Sequence, residues 1–249
     1  MSTTTMLPAA RAVATATRSG ASWKGIYRAG GICLFGTGLI YLTNVTFGAI
    51  LGVAPADSQQ YLQSLADHAT LARVTYGLFS LANFLLLPAV LGLYLALRRV
   101  ARNPMLLATG LMTLFVVLDL ALTEFTSLTL VTLTQHAAAA TSDAGRAAYA
   151  AAADYALATI PLATFYSYVV SSLGLLVIGV VMLRGGFGRL PAYLGMAAGV
   201  AGIVAGFYVV LPGLSILLNP TLLVFGLWGL TAGVRLYRLS ARVEEPAAD

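Results

Sequence analysis

Two acidic residues interrupt an apolar stretch near the middle of the chain. Residues 116–125 read VVLDLALTEF and contain Asp119 and Glu124. Burying an ionised carboxylate is costly unless it is paired, hydrogen-bonded or protonated. Acidic side chains inside membrane-spanning segments commonly mark proton relays, ion pathways or ligand sites. These two residues are therefore the first candidates for chemistry, and their surroundings decide what that chemistry can be.

The two carboxylates are expected at different depths of a membrane-spanning helix. If this helix begins at Met105, Asp119 lies about 21 Å along it and Glu124 about 28 Å, at 1.5 Å per residue. A bilayer core is roughly 30 Å thick, so Asp119 is expected inside it and Glu124 near its outer boundary. Five residues of a regular α-helix turn about 140°, which predicts different faces and no paired acid–base dyad.

Polar residues on the same and neighbouring apolar segments are candidate partners of Asp119. Thr123 and Thr126 follow it at i+4 and i+7 and are expected on the same helix face. A buried acid needs hydrogen bonds, and Asn83 in the second apolar segment is the expected cross-helix donor. The predicted intramembrane polar site comprises Asp119, Thr123, Thr126, Asn83, Asn44 and Tyr166, with Tyr168 as an alternative to Tyr166.

A different partner is expected for Glu124. Arg73 stands at the outer end of the second apolar segment, at a level that Glu124 can reach. We therefore predict an outer-interface pair between these two residues. For Asp119, one interpretation is a protonatable or cation-binding site within a polar cavity. The structural alternative is an interhelical hydrogen-bond clamp.

The composition places these acids in a membrane protein. The chain of 249 residues is 59% hydrophobic and only 9% charged, whereas soluble domains are about 25% charged. Apolar runs of roughly eighteen residues or more recur, and alternating β-barrel patterning is absent. The sequence predicts an all-α, polytopic transmembrane helical bundle with six spans. The spans are expected at about 28–53, 74–97, 105–133, 155–183, 192–211 and 215–236. Pro212 and Pro220 leave the boundary between spans five and six open.

Basic residues predict the orientation of the bundle. Twelve of the fourteen Lys and Arg residues fall in the two terminal segments and in the turns after spans two and four; only Arg73 and Arg146 do not. Because positive residues concentrate in cytoplasmic segments, both termini are expected in the cytoplasm, and the basic pI needs no nucleic acid as partner. We predict a flexible cytoplasmic tail at 1–26, a transmembrane domain at 27–237 and a cytoplasmic tail at 238–249.

Small residues are spaced for close helix packing. Span five contains Gly195-x-x-x-Gly199, and span six contains Gly229-x-x-x-Gly233. Such spacings let helix backbones approach each other in lipid. They predict a compact bundle and a homodimer through the Gly-rich spans, with the lipid bilayer as the other partner.

Two segments resemble a bacterial membrane family. Residues 185–210, GGFGRLPAYLGMAAGVAGIVAGFYVV, combine a Gly and aromatic turn, a Leu-Pro pair and a Gly-rich span ending near a tyrosine. Residues 27–42 read YRAGGICLFGTGLIYL. Together they resemble the family catalogued as domain of unknown function 4386, from about Tyr27 to Tyr237. The resemblance implies a six-span protein of the bacterial cytoplasmic membrane and carries over no catalytic residues.

Missing motifs narrow the function. The sequence has no HExxH motif, no Cys cluster, no intramembrane His pair and no GxSxG or Walker loop, so we expect no metal site and no cofactor. The leading hypothesis is a small transporter or channel-like protein organised around Asp119, with an unknown small-molecule or ion ligand. The alternative is a non-catalytic structural or accessory protein that packs with a partner protein or lipid. An intramembrane enzyme would need a second polar group beside Asp119.

Overall fold

The computed structural model describes residues 8–51 and 58–242, with side-chain surroundings for 23–47 and 63–241. The regular elements of these residues are helices: α1 (Pro8–Leu51), α2 (Ser58–Asp67), α3 (Ala69–Leu97), α4 (Arg102–Leu118), a π-helix (Asp119–Glu124), α5 (Phe125–Ala139), α6 (Asp143–Arg184), α7 (Arg189–Gly206), two 3-10 turns (Phe207–Val209 and Pro212–Leu217) and α8 (Leu218–Arg242). Helix α1 begins inside the predicted N-terminal tail. Residues 1–7 and 243–249 of the predicted tails, and residues 52–57, lie outside the described residues.

Among the described residues, six helices are long and apolar enough to cross a membrane, which confirms the predicted fold class. They are Trp23–Phe47, Ala69–Leu97, Arg102–Ala139, Asp143–Arg184, Arg189–Val209 and Pro212–Ala241. Large apolar side chains such as Phe84 and Phe125 point outward, being 59% and 68% exposed. Such surfaces are compatible with lipid, which is as apolar as they are. The chain is therefore an integral, multi-pass membrane protein.

The spanning helices form a closed ring in chain order. Helix α1 packs against α3 on one side and α8 on the other, and the ring continues from α3 through α4, α6 and α7 to α8. Short connections favour this order, since helices joined by short turns pack as antiparallel neighbours. At one end of the ring, the basic end, Arg98 stacks over Trp23 and Arg28 over Tyr237. The 140–142 turn lies at the opposite, distal end.

Glycines allow close contact between α1 and α8 and between α6 and α7. A Cβ at Gly38 would lie 2.6 Å from the carbonyl oxygen of Gly226 and 2.6 Å from the amide nitrogen of Leu230. A Cβ at Gly199 would lie 2.8 Å from the carbonyl oxygen of Ser172. The Gly-rich faces therefore pack within one chain. The homodimer stays a prediction, and it needs a surface other than these.

Two of the described helices are much longer than a bilayer is thick. Residues 102–139 form one continuous helix of 38 residues, and α6 has 42. At 1.5 Å per residue these helices measure about 57 Å and 63 Å, against a hydrocarbon core of roughly 30 Å. Their distal parts pack with α2 around an apolar cluster that includes Leu65, Leu130 and Ala153. The gap between the predicted third and fourth spans is thus mostly helix.

Candidate functional site

A cavity of about 240 Å³ lies at the centre of the ring, and every spanning helix contributes to its lining. The aromatic side chains of the lining are Tyr41, Tyr76, Phe79, Phe115, Tyr168 and Phe225. Its acidic side chains are Asp119 and Glu124. Within the described part of the chain, no Lys, Arg or His belongs to the lining. The cavity is therefore both aromatic and acidic.

The two acids face the same cavity because the helix between them is not a regular α-helix. Asp119–Glu124 form a π-helix, in which hydrogen bonds join residues five apart instead of four. Residues five apart are therefore offset by about 40°, as residues four apart are in an α-helix. The expected offset of 140° is wrong for this reason. The two carboxyl groups are close enough to interact electrostatically.

The buried positions of this helix show the extra residue directly. Before the π-helix, the buried face advances by three or four residues at a time, through Met105, Ala108, Met112, Phe115 and Asp119. A single step of five leads to Glu124, and the face continues through Ser127, Val131 and Thr134. The π-helix thus adds one residue while both halves of the helix keep their inward faces. Such π-bulges within α-helices are frequent at functional sites.

Asp119 is held by side chains from two neighbouring helices. It is 9% exposed, and the Nδ2 amide of Asn83 on α3 donates a hydrogen bond of 2.7 Å to its Oδ2 atom. The hydroxyls of Thr123 and Ser167 also act on the carboxylate as hydrogen-bond partners. These two hydroxyls lie 3.5 Å from each other. The structure therefore brings Asp119, Asn83 and Thr123 together and adds Ser167 from α6.

Glu124 lies in a different environment from the expected one. It is 5% exposed, and its Oε2 atom has no hydrogen-bond partner among the described residues. The structure does not bring Glu124 and Arg73 together, since Arg73 is exposed and donates to Oε1 of Gln135. The physical reason is the π-helix, which turns Glu124 away from the outer surface and into the cavity.

The other predicted site residues lie outside the cavity lining. Thr126 is half-buried, and the π-helix brings Ser127 to the inner face in its place. Tyr166 is 47% exposed, whereas Tyr168, two residues and half a turn further on, lines the cavity. Asn44 is 2% exposed, but its two amide atoms have no hydrogen-bond partner among the described residues.

Several lining residues were not predicted. Ser171 lines the cavity and Ser167 lies beside Thr123. They stand four residues apart in a mostly apolar span, and this spacing was an available signal for an inward face. The aromatic lining had no such signal. A lining ring such as Phe79 and a lipid-facing ring such as Phe84 look alike in the sequence.

Comparison of the chain with protein-family models, with curated proteins and with solved structures finds no match. The function therefore has to be inferred from the site itself. The resemblance to domain of unknown function 4386 stays a prediction from residues 27–42 and 185–210. The site combines a central cavity, an acid clamped by an amide and a second acid with an unpaired oxygen.

Proposed function

We propose that the chain is a small transporter that binds a proton or a cation at Glu124 and Asp119 in the central cavity. The observation that supports this best is the unpaired Oε2 atom of the buried Glu124, next to a second carboxyl group. A charged acid at the bilayer centre costs about 2.5–3.5 kcal/mol on insertion scales, and a neighbouring carboxylate adds repulsion. A proton or cation in the cavity offsets both costs.

Glu124 and Asp119 have different functions in this proposal. Because the hydrogen bond from Asn83 holds Asp119 in place, Asp119 is the positioned acid of the site. Glu124 has an oxygen without a partner, so it takes up and releases the proton or cation. Transport then requires the ring to open at one end at a time, as in transporters whose sites lie near the bilayer midplane.

The proposed location is the bacterial cytoplasmic membrane, with both termini in the cytoplasm. The concentration of Lys and Arg in the terminal segments and in two turns supports the orientation, because positive residues concentrate on the cytoplasmic side. The resemblance of residues 185–210 supports the bacterial location. Cysteine labelling of the 140–142 turn in intact cells tests the orientation, since this turn is expected to face outward.

Proton flux in proteoliposomes that contain a pH-sensitive dye tests the transporter. We expect Glu124→Gln to abolish the flux that the wild-type chain supports, because an amide of nearly the same shape cannot exchange a proton. Asp154→Asn makes the same chemical change at an exposed position of α6, and it should leave the flux unchanged. Flux of equal size from Glu124→Gln and wild-type protein, both monodisperse in size-exclusion chromatography, would refute Glu124 as the exchanging group.

One observation favours the alternative of a non-catalytic structural or accessory protein. The hydrogen bond between Asn83 and Asp119 clamps two helices together whether or not a ligand binds. Under this alternative, Asp119→Asn prevents folding, Glu124→Gln changes no activity, and wild-type proteoliposomes conduct no more protons than protein-free liposomes. The flux assay therefore separates a transporter that exchanges protons from a structural protein.

A further inference from the structure

The central cavity has more aromatic surface than a proton site requires. Its rings come from several helices around it, as described above. Tyr41 is central to them, since its ring centroid lies 5.4 Å from that of Phe79 and 4.6 Å from that of Phe225. The face of an aromatic ring carries partial negative charge, and it attracts a cation within about 6 Å of the centroid.

The cavity lining contains acidic side chains and, among the described residues, no basic ones. The acidic residues are Asp119 and Glu124. Glu124 is 5% exposed, and its Oε2 atom has no partner in the described part of the chain. Buried polar atoms are normally satisfied, so an unpaired carboxylate oxygen beside a cavity indicates a ligand that completes it. Both the rings and the acids favour a positive ligand.

The described side chains that line the cavity do not form a metal-binding site. Among the described residues, no three His, Cys, Asp or Glu side chains gather at one place. Divalent Ca²⁺ takes six to eight oxygen ligands at about 2.3–2.6 Å. A cavity of about 240 Å³ with aromatic walls is instead large enough for several waters or a small organic ligand. A ligand whose positive charge is spread over alkyl groups matches these walls.

We infer that the cavity binds a small organic monocation, a quaternary or protonated amine, with its charge at Glu124 and its alkyl groups against the rings. A single positive charge balances Glu124, while Asp119 stays hydrogen-bonded to Asn83. This inference rests on the proposed function, because it assigns a ligand class to the same site. It concerns equilibrium binding, however, which can be measured without any transport.

Isothermal titration calorimetry of the purified full chain in detergent, with choline as the probe, tests the inference. The control ligand is 3,3-dimethylbutan-1-ol, which has the shape of choline without its charge. We expect choline to bind and the alcohol not to bind. Glu124→Gln should abolish choline binding. Phe79→Leu should weaken it about 2- to 30-fold, the range for the loss of one cation–π contact.

Phe84→Leu is the matched control, because it makes the same change at a lipid-facing position of the same helix. It should leave choline binding unchanged. Phe225→Leu removes a second ring of the cavity and should weaken choline binding as Phe79→Leu does. Equal binding of choline and the alcohol, or equal losses from Phe79→Leu and Phe84→Leu, would overturn the inference. So would an absence of binding by choline, tetramethylammonium and butylammonium alike.

The two assays fail independently. A proton flux that depends on Glu124, without binding of any of these amines, would leave the transporter standing and remove the organic cation as its ligand. Binding of choline without any flux would support the organic cation as ligand and refute the transporter. The chain would then be a cation-binding membrane protein that does not transport.

Discussion

The π-helix at Asp119–Glu124 can be tested by deleting one residue from it. Ala121 lies within the π-helix, and it is exposed, so its side chain contributes nothing to the ring interior. Its removal converts the π-helix to regular α-helix and leaves the helix on either side facing as before. The two acids then stand four residues apart, which keeps them on one face. We expect this deletion variant to fold and to retain proton flux.

Deletion from a regular α-helix has a different consequence. It rotates all following residues by about 100° and shifts them by about 1.5 Å. For a deletion before the π-helix, such a rotation turns Phe115 and Val116, which are 6% and 2% exposed, out of the main apolar core. Full burial of an apolar side chain contributes about 1.5–3 kcal/mol, so these two residues alone account for about 3–6 kcal/mol.

The matched control is deletion of Leu114, which is 46% exposed and lies in the regular part of the same helix. Buried Met112 and Phe115 lie on either side of it and cannot both keep their positions. We expect its thermal unfolding midpoint to fall by more than about 6 °C, at roughly 2–4 °C per kcal/mol, whereas the Ala121 deletion stays near the wild-type value. An equal fall of the unfolding midpoint in both deletion variants would mean that the π-helix has no extra residue to lose. It would then not be the π-helix that turns Glu124 into the cavity.

Two further predictions concern the helix contacts and the clamp, and unfolding in SDS checks both. Gly38→Ala should destabilise the protein by about 1–3 kcal/mol, because α1 and α8 must separate to admit its Cβ. Gly77→Ala is the control, since a Cβ there would meet no atom within 4 Å. Equal stabilities of the two variants would contradict the close contact between α1 and α8. Asn83→Leu should lower the free energy of unfolding by about 1–3 kcal/mol, because Asp119 loses a buried donor at 2.7 Å. If the effects of Asn83→Leu and Asp119→Ala are strictly additive in a double-mutant cycle, this hydrogen bond contributes nothing to stability.

The spanning helices could be predicted because lipid imposes a minimum length on every apolar segment. At the distal end the helices extend beyond the predicted spans, because hydropathy reports only the apolar part of a helix. Residues 137–153 are rich in alanine, which favours helix strongly but is too weakly apolar to extend a predicted span. In the structure this segment belongs to helices on both sides of the 140–142 turn. Ala153, at the end of this segment, is buried in the apolar cluster with Leu65 of α2, a tertiary contact that hydropathy does not report.

The site was predictable only in part, because an apolar span does not show which of its faces points into the bundle. Lipid-facing and inward-facing positions are both apolar, so only polar residues show which face is inward. Asp119 and Asn83 could be paired since each needs a buried partner and few partners are present. Glu124 was misplaced because a constant 100° per residue was assumed. The spacing from Asp119 to Glu124 to Ser127, five and then three residues, was the visible sign that this assumption fails.

The π-helix has two consequences, and one variant separates them. It keeps Leu130 and Val131 in the distal cluster, and it turns Glu124 into the cavity. Packing alone does not require an acid at position 124, because a buried carboxyl group with an unpaired oxygen lowers stability. Glu124→Gln keeps the shape and removes the charge, so it should raise the free energy of unfolding while abolishing ligand binding and flux. A ligand site predicts that the free energy of unfolding rises while binding and flux are lost. Neither a packing function of Glu124 nor the Asn83–Asp119 clamp predicts these opposite changes.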